Sequence, residues 1–158
     1  MKISVIGLGQ ALRGDDAAGL EAVRRWQQAY SQSAARPEVT VETGGLAGLG
    51  LLDMLASAEA AILVDAVSSG APAGTIHRLE PGQLASFSAG SGSAHGWGVA
   101  ETLALAEKLA LPARAVKIIV IGIEAGQMEP GSGLSREVEA AMPEACSAIE
   151  AGLQSLLL

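Results

Sequence analysis

Three short stretches of the sequence each offer one side chain able to bind a divalent metal. Asp16 closes Gly7-Leu8-Gly9-Gln10-Ala11-Leu12-Arg13-Gly14-Asp15-Asp16, Asp65 sits in Ile62-Leu63-Val64-Asp65-Ala66, and His95 sits in Ser93-Ala94-His95-Gly96-Trp97-Gly98. Two carboxylates and an imidazole suit a borderline divalent cation. Each residue also has a plainer structural reading. An aspartate at a helix start caps it, for about 0.5–2 kcal/mol, and that reading fits Asp15. A second adjacent aspartate adds little to a cap, so Asp16 is available for other work. Asp65 falls at the carboxyl end of an apolar strand, where open α/β sheets bind their ligands. A carboxylate buried there needs a partner, and backbone amides would serve as well as a metal. His95 lies among small residues that leave an imidazole accessible, although a lone loop histidine is more often simply solvated. His77, in a polar strand pattern, reads as an exposed strand residue.

Other chemistries are poorly served. Gly7 and Gly9 match the first two glycines of a dinucleotide fingerprint, but Leu12 stands at the third position. A P-loop would end in Gly-Lys-Ser or Gly-Lys-Thr. Here Gly14 is followed by two aspartates, which would repel a phosphate at a helix N-terminus. No Gly-x-Ser-x-Gly elbow follows a strand, and Gly90-Ser91-Gly92 is too short to be one. The His-Glu-x-x-His helix of common zinc proteases is absent. Cys146 is the one cysteine, which excludes an internal disulfide and a Cys-rich zinc site. It falls in a helical pattern and reads as core. With 17 acidic against 10 basic residues, the chain lacks the basic face that nucleic acid requires.

These side chains need a scaffold, and the hydrophobic pattern supplies one. The 158 residues fit one domain, 1–158. The only aromatics are Trp26, Tyr30, Phe87 and Trp97, so the core must be Ala, Val, Ile and Leu. Residues 2–7, 60–66 and 115–123 are apolar runs of the kind expected of parallel strands covered on both faces. Residues 38–42 alternate like a strand, and 74–80 form a shorter, more polar one suited to a sheet edge. Helical spacing marks 16–34, 47–57, 98–110 and 135–157, the last with an expected bend at Pro143. Residues 86–98, rich in Ser and Gly, read as a long flexible functional loop. Strands alternating with helices imply a three-layer α/β/α sandwich. The N-terminus runs directly into a strand pattern, which argues against a signal peptide. No apolar run reaches membrane-spanning length, so a soluble cytoplasmic protein is expected.

The motifs in series resemble the nickel-iron hydrogenase maturation endopeptidases. That family opens on a strand and a segment like Gly-x-Gly-Asn-x-x-x-Gly-Asp-Asp/Glu-Gly-x-Gly, matched here by Gly7 through Gly19. A Gly-Gly turn follows, matched by Gly44-Gly45, then an Asp-Ala pair after a buried strand, matched by Asp65-Ala66. A His at the next helix is matched by His95, and a late Glu-Pro loop before Gly-Leu-Ser by Glu129-Pro130 and Gly133-Leu134-Ser135. Gln10 stands where the family has Asn, and Ala17 where it has Gly. The resemblance implies a twisted, mostly parallel five-stranded sheet between helices, with one strand antiparallel. It implies that Asp16, Asp65 and His95 converge as metal ligands and catalytic residues. It further implies removal of a C-terminal extension from the large-subunit precursor of a nickel-iron hydrogenase. The nickel would arrive with that substrate, and no organic cofactor or membrane would be involved.

Two like charges about 4 Å apart repel by roughly 4 kcal/mol at an effective dielectric near 20. A converged Asp16–Asp65 pair should therefore hold a proton or await a cation. Two rival readings remain: a conventional metallopeptidase with its own zinc, and a non-catalytic accessory protein that binds nickel.

Overall fold

A computed structural model of the chain describes residues 1–45, 49–83, 99–131 and 133–158. Five strands form one sheet in the order β2-β1-β3-β5-β4. They are β1 (Ile3–Leu8), β2 (Val39–Gly45), β3 (Ala60–Val67), β4 (Ile76–Leu79) and β5 (Lys117–Glu124). β1 pairs in parallel with β2 and β3, and β3 with β5, while β4 runs antiparallel to β5. The central strands read as unbroken apolar runs because both of their faces are covered. β4 carries His77 and Arg78 because it is an edge.

Alternate residues of each strand feed two separate cores. On one face Ile3, Val5, Ile62, Val64, Ile119, Ile121 and Ile123 meet α1 (Ala18–Ala29) and the long C-terminal helix. On the other, Ile6, Leu8, Leu63, Leu79 and Val120 meet α3 (Leu49–Ala56) and α4 (Val99–Lys108). A short α2 (Ser31–Ala34) follows α1, and α5 (Arg136–Leu157) is the C-terminal helix. The expected three layers are therefore present, with one antiparallel edge. Trp26, fully buried, donates its Nε1–H to Glu150 at 2.9 Å, and Ser33 Oγ donates to the same carboxylate at 2.7 Å. That tie fastens α1 and α2 to α5.

One expectation needs correcting. The single helix expected over 16–34 is a 3-10 turn (Gly14–Ala17), then α1 and α2. Gly14 has φ +57, so the backbone enters through a left-handed residue rather than a capped first turn. α5 runs uninterrupted through Pro143. The Ser/Gly loop over 86–98, with Trp97, lies outside the described residues. Among those described, no helix is long and apolar enough to cross a membrane.

Candidate active site at the carboxyl rim of the sheet

Two glycines bring the β1–α1 loop down onto the rim. Gly19 opens α1 so close to the strands that a Cβ there would run into Val64 O, and into Leu8 O at 2.7 Å. Gly9 has φ +130, and a Cβ on it would collide with Asp16 O. Only residues without side chains let the loop fold back and drop the start of α1 between β1 and β3. Asp16 follows from this packing. It is buried, and its Oδ2 accepts the Gln10 N–H at 3.1 Å.

Asp65 is the sixth residue of β3, where the strand leaves the core and becomes half-buried. Its Oδ1 accepts the Ala66 N–H at 2.9 Å. The residue keeps some exposed surface, yet its carboxyl group is strongly desolvated. Burial, and next the negative charge of Asp16, push it up to about 7 against the opposing pull of the Ala66 amide. Two carboxylates 49 residues apart in the sequence are thus brought within electrostatic reach. His95 lies outside the described residues. Among the described residues, no three His, Cys, Asp or Glu side chains form a metal cluster. The pair itself is chemically suited to a cation, because a bound positive charge removes the mutual repulsion that raises Asp65.

Asp15 is not a helix cap. Neither the 3-10 turn nor α1 has a side-chain cap bond. Asp15 turns inward instead, is fully buried, and accepts four hydrogen bonds from the loop before α5. Its Oδ2 takes the N–H groups of Gly126 at 2.7 Å and Gln127 at 2.9 Å, and the Ser135 hydroxyl at 2.7 Å. Its Oδ1 takes the Ser135 N–H at 2.7 Å. The Asp15 N–H returns a bond to Gln127 O at 2.7 Å. The Gly133-Leu134-Ser135 match therefore has a physical basis: Ser135 is the far end of the clamp that fixes the backbone beside Asp16.

His77 is not an exposed strand residue. Its side chain is only 16% exposed, and its Nε2 lies 3.1 Å from Oε1 of Glu124, which is 3% exposed. Glu124 also accepts the Ser69 N–H at 2.8 Å and the Ser69 hydroxyl at 2.5 Å. Glu124 ends β5 as Asp65 nears the end of β3. The same positional rule that singled out Asp65 would have found it. Cys146 is buried core as expected, with its thiol donating to Ala22 O at 3.7 Å, and burial pushes that thiol upward.

A doubly covered, mostly parallel sheet with paired carboxylates on its carboxyl rim defines an α/β protein with an acidic rim site. The hydrogenase maturation protease family model matches residues 20–152, and the chain belongs to that family. It is 32% identical over 158 residues to the hydrogenase 2 maturation protease of Escherichia coli, covering 98% of this chain and 92% of that protein. It is 31% identical over 136 residues to the hydrogenase expression/formation protein HupD of Thiocapsa roseopersicina, covering 85% of this chain and 59% of that longer protein. Its fold matches the solved hydrogenase maturating endopeptidase HybD from E. coli with a TM-score of 0.80, 27% identity, and coverage of 98% and 93% of the two chains.

Proposed function

We propose that this chain is an endopeptidase that removes the C-terminal extension from the large-subunit precursor of a nickel-iron hydrogenase, and that it recognises the nickel already held by that substrate. The observation that carries this reading is Asp65: a rim carboxyl raised to about 7 by burial and by the facing Asp16. Family membership and the names of the relatives support the peptidase activity.

In this reading Asp16 and Asp65 grip the metal brought by the precursor, and His95 completes the donor set. Where Asp65 serves as general base rather than as ligand, a carboxyl raised to about 7 is matched to proton transfer near neutral pH. Asp65 can therefore accept a proton from the attacking water as the scissile carbonyl is approached. Asp15 does none of this chemistry. It holds the backbone of its neighbour still, by fixing the β1–α1 loop to residues 126–135. The reading needs no organic cofactor.

The test is a cleavage assay. Nickel-loaded precursor mixed with this protein should release one defined C-terminal peptide, and nickel-free precursor should stay intact. Equal cleavage of both would refute metal recognition. Cleavage of neither would favour the accessory-protein reading. Stoichiometric zinc in the purified protein would favour the conventional metallopeptidase.

A further inference from the structure

Among the described residues four large apolar side chains stay exposed: Met1, Leu12, Leu109 and Leu158. Met1 and Leu158 are the first and last residues, and Leu109 directly follows α4. Leu12 differs from these. It stands on the loop that places Asp16, and it is 77% exposed. A lone exposed leucine would need no explanation, but its neighbour is also out of the ordinary. Arg13 is half-buried, and its Nε is sealed from solvent with no hydrogen-bond partner. Among the described residues Arg24, Arg25 and Arg36 all pair with glutamates and Arg78 donates to Ser155, whereas Arg13 forms no ion pair. A guanidinium partly out of water and unpaired is costly. The fold does not repay that cost. Arg13 holds the N-cap position of the 3-10 turn, where a short acceptor is favoured, and makes no cap bond.

The loop that carries both residues is held still. Leu12 O accepts the Gly131 N–H at 2.8 Å, and Arg13 O accepts the Asp16 N–H at 3.1 Å. The Asp15 clamp follows at once. A fixed loop loses little freedom when a partner lands on it. Arg13 lies three residues before Asp16, about 6 Å along a 3-10 turn. A surface whose metal rests on Asp16 therefore comes within a side chain's length of Arg13 and Leu12. An arginine fork drawn out of water takes a carboxylate best, through two parallel hydrogen bonds. A leucine takes an apolar side chain. The chain carries a net charge of −7, and Asp16, Asp65 and Glu124 make the rim acidic. Arg13 gives an acidic group of a partner its foothold there.

We propose that Leu12 and Arg13 form a docking contact for the large-subunit precursor, in which Leu12 packs on an apolar patch and Arg13 clasps a carboxylate of the surface around the precursor's metal. This rests on the endopeptidase reading above. It makes the β1–α1 loop a recognition element as well as the carrier of Asp16.

The test compares the wild type with Leu12→Ser, Arg13→Gln and Arg13→Lys. KM and kcat are measured on nickel-loaded precursor, Kd for that precursor by biolayer interferometry at several salt concentrations, and folding by thermal melts. Leu12→Ser and Arg13→Gln should each raise KM and Kd by about threefold to tenfold, with kcat within about threefold. Arg13→Gln should also flatten the salt dependence of Kd, which Leu12→Ser should leave as in the wild type. Arg13→Lys keeps the charge but not the fork, so it should keep the salt dependence and recover only part of the affinity. Melting temperatures should not fall. Should the Arg13 variants fail to fold, Leu12→Ser decides, because so exposed a side chain can be replaced without disturbing the core. Unchanged KM and Kd in the folded variants would overturn the proposal while leaving the endopeptidase reading intact. An unaltered salt dependence in Arg13→Gln would overturn the carboxylate contact. A wild type that binds precursor without cutting it refutes the endopeptidase reading alone if Leu12→Ser still binds more weakly. A wild type that neither binds nor cuts refutes both.

Discussion

Asp65→Asn should make the protein more stable, and only above a defined pH. The Asp65 carboxyl ordinarily ionises at 3.8 and in the folded chain at about 7. Below pH 3.8 it is protonated whether the chain is folded or not, and it costs nothing. Between 3.8 and about 7 the unfolded chain ionises while the folded chain keeps its proton, so wild-type stability falls as pH rises. Above about 7 the folded site must also ionise, and the full cost is present. At 1.36 kcal/mol per pH unit the gap from 3.8 to about 7 amounts to about 4 kcal/mol. Partial exposure of the residue reduces this, to between about 2 and 4 kcal/mol. Asn is neutral, nearly isosteric, and keeps an oxygen for the Ala66 amide, so it removes the cost. Urea unfolding followed by tryptophan fluorescence, at several pH values from about 4 to about 8.5, should show the two proteins converging at the acid end. They should separate through the middle of the range, with the variant ahead by about 2–4 kcal/mol at the alkaline end. The same variant should fail to process precursor. Equal stability at every pH, or a variant less stable near pH 8, would refute the claim that burial and Asp16 hold this carboxyl near neutrality.

The remaining predictions concern the parts that build the site. Asp15→Ala strips the acceptor from three backbone amides and a hydroxyl, and should cost at least about 3 kcal/mol in chemical denaturation. A change below about 1 kcal/mol would show that the clamp carries little energy. Gly19→Ala places a methyl against the Val64 and Leu8 carbonyls, and should destabilise by about 1–3 kcal/mol or more and impair processing. A fully stable, active variant would mean that α1 does not need its close approach to β3. Cys146 should resist a thiol reagent in the native protein and react once urea unfolds it, because burial both covers the thiol and raises it. Rapid labelling of the native protein would contradict its place under α1.

The scaffold was legible because its signals are local. Unbroken apolar runs marked β1, β3 and β5, and the polar Ile76–Leu79 segment marked an edge, since strand burial depends only on what covers each face. Asp65 could be singled out from its place at a strand end. The roles of Asp15 and His77 could not be read the same way. Asp15 looked like a cap because capping is a local property, but its partners lie 111 to 120 residues further along the chain. His77 looked exposed because its own strand is polar, but its partner lies 47 residues away on the neighbouring strand.

Sequence alone thus determined the strands, the helices and the acidic residues placed at their ends, because each is written in a window of a few side chains. Tertiary structure alone decided which carboxylate is a clamp, which is raised toward neutrality, and which is paired with a histidine. Those outcomes depend on desolvation and on charges a few ångströms away in space. Sheet register and the glycine-permitted descent of α1 set those distances, and neither is encoded by neighbours in the chain.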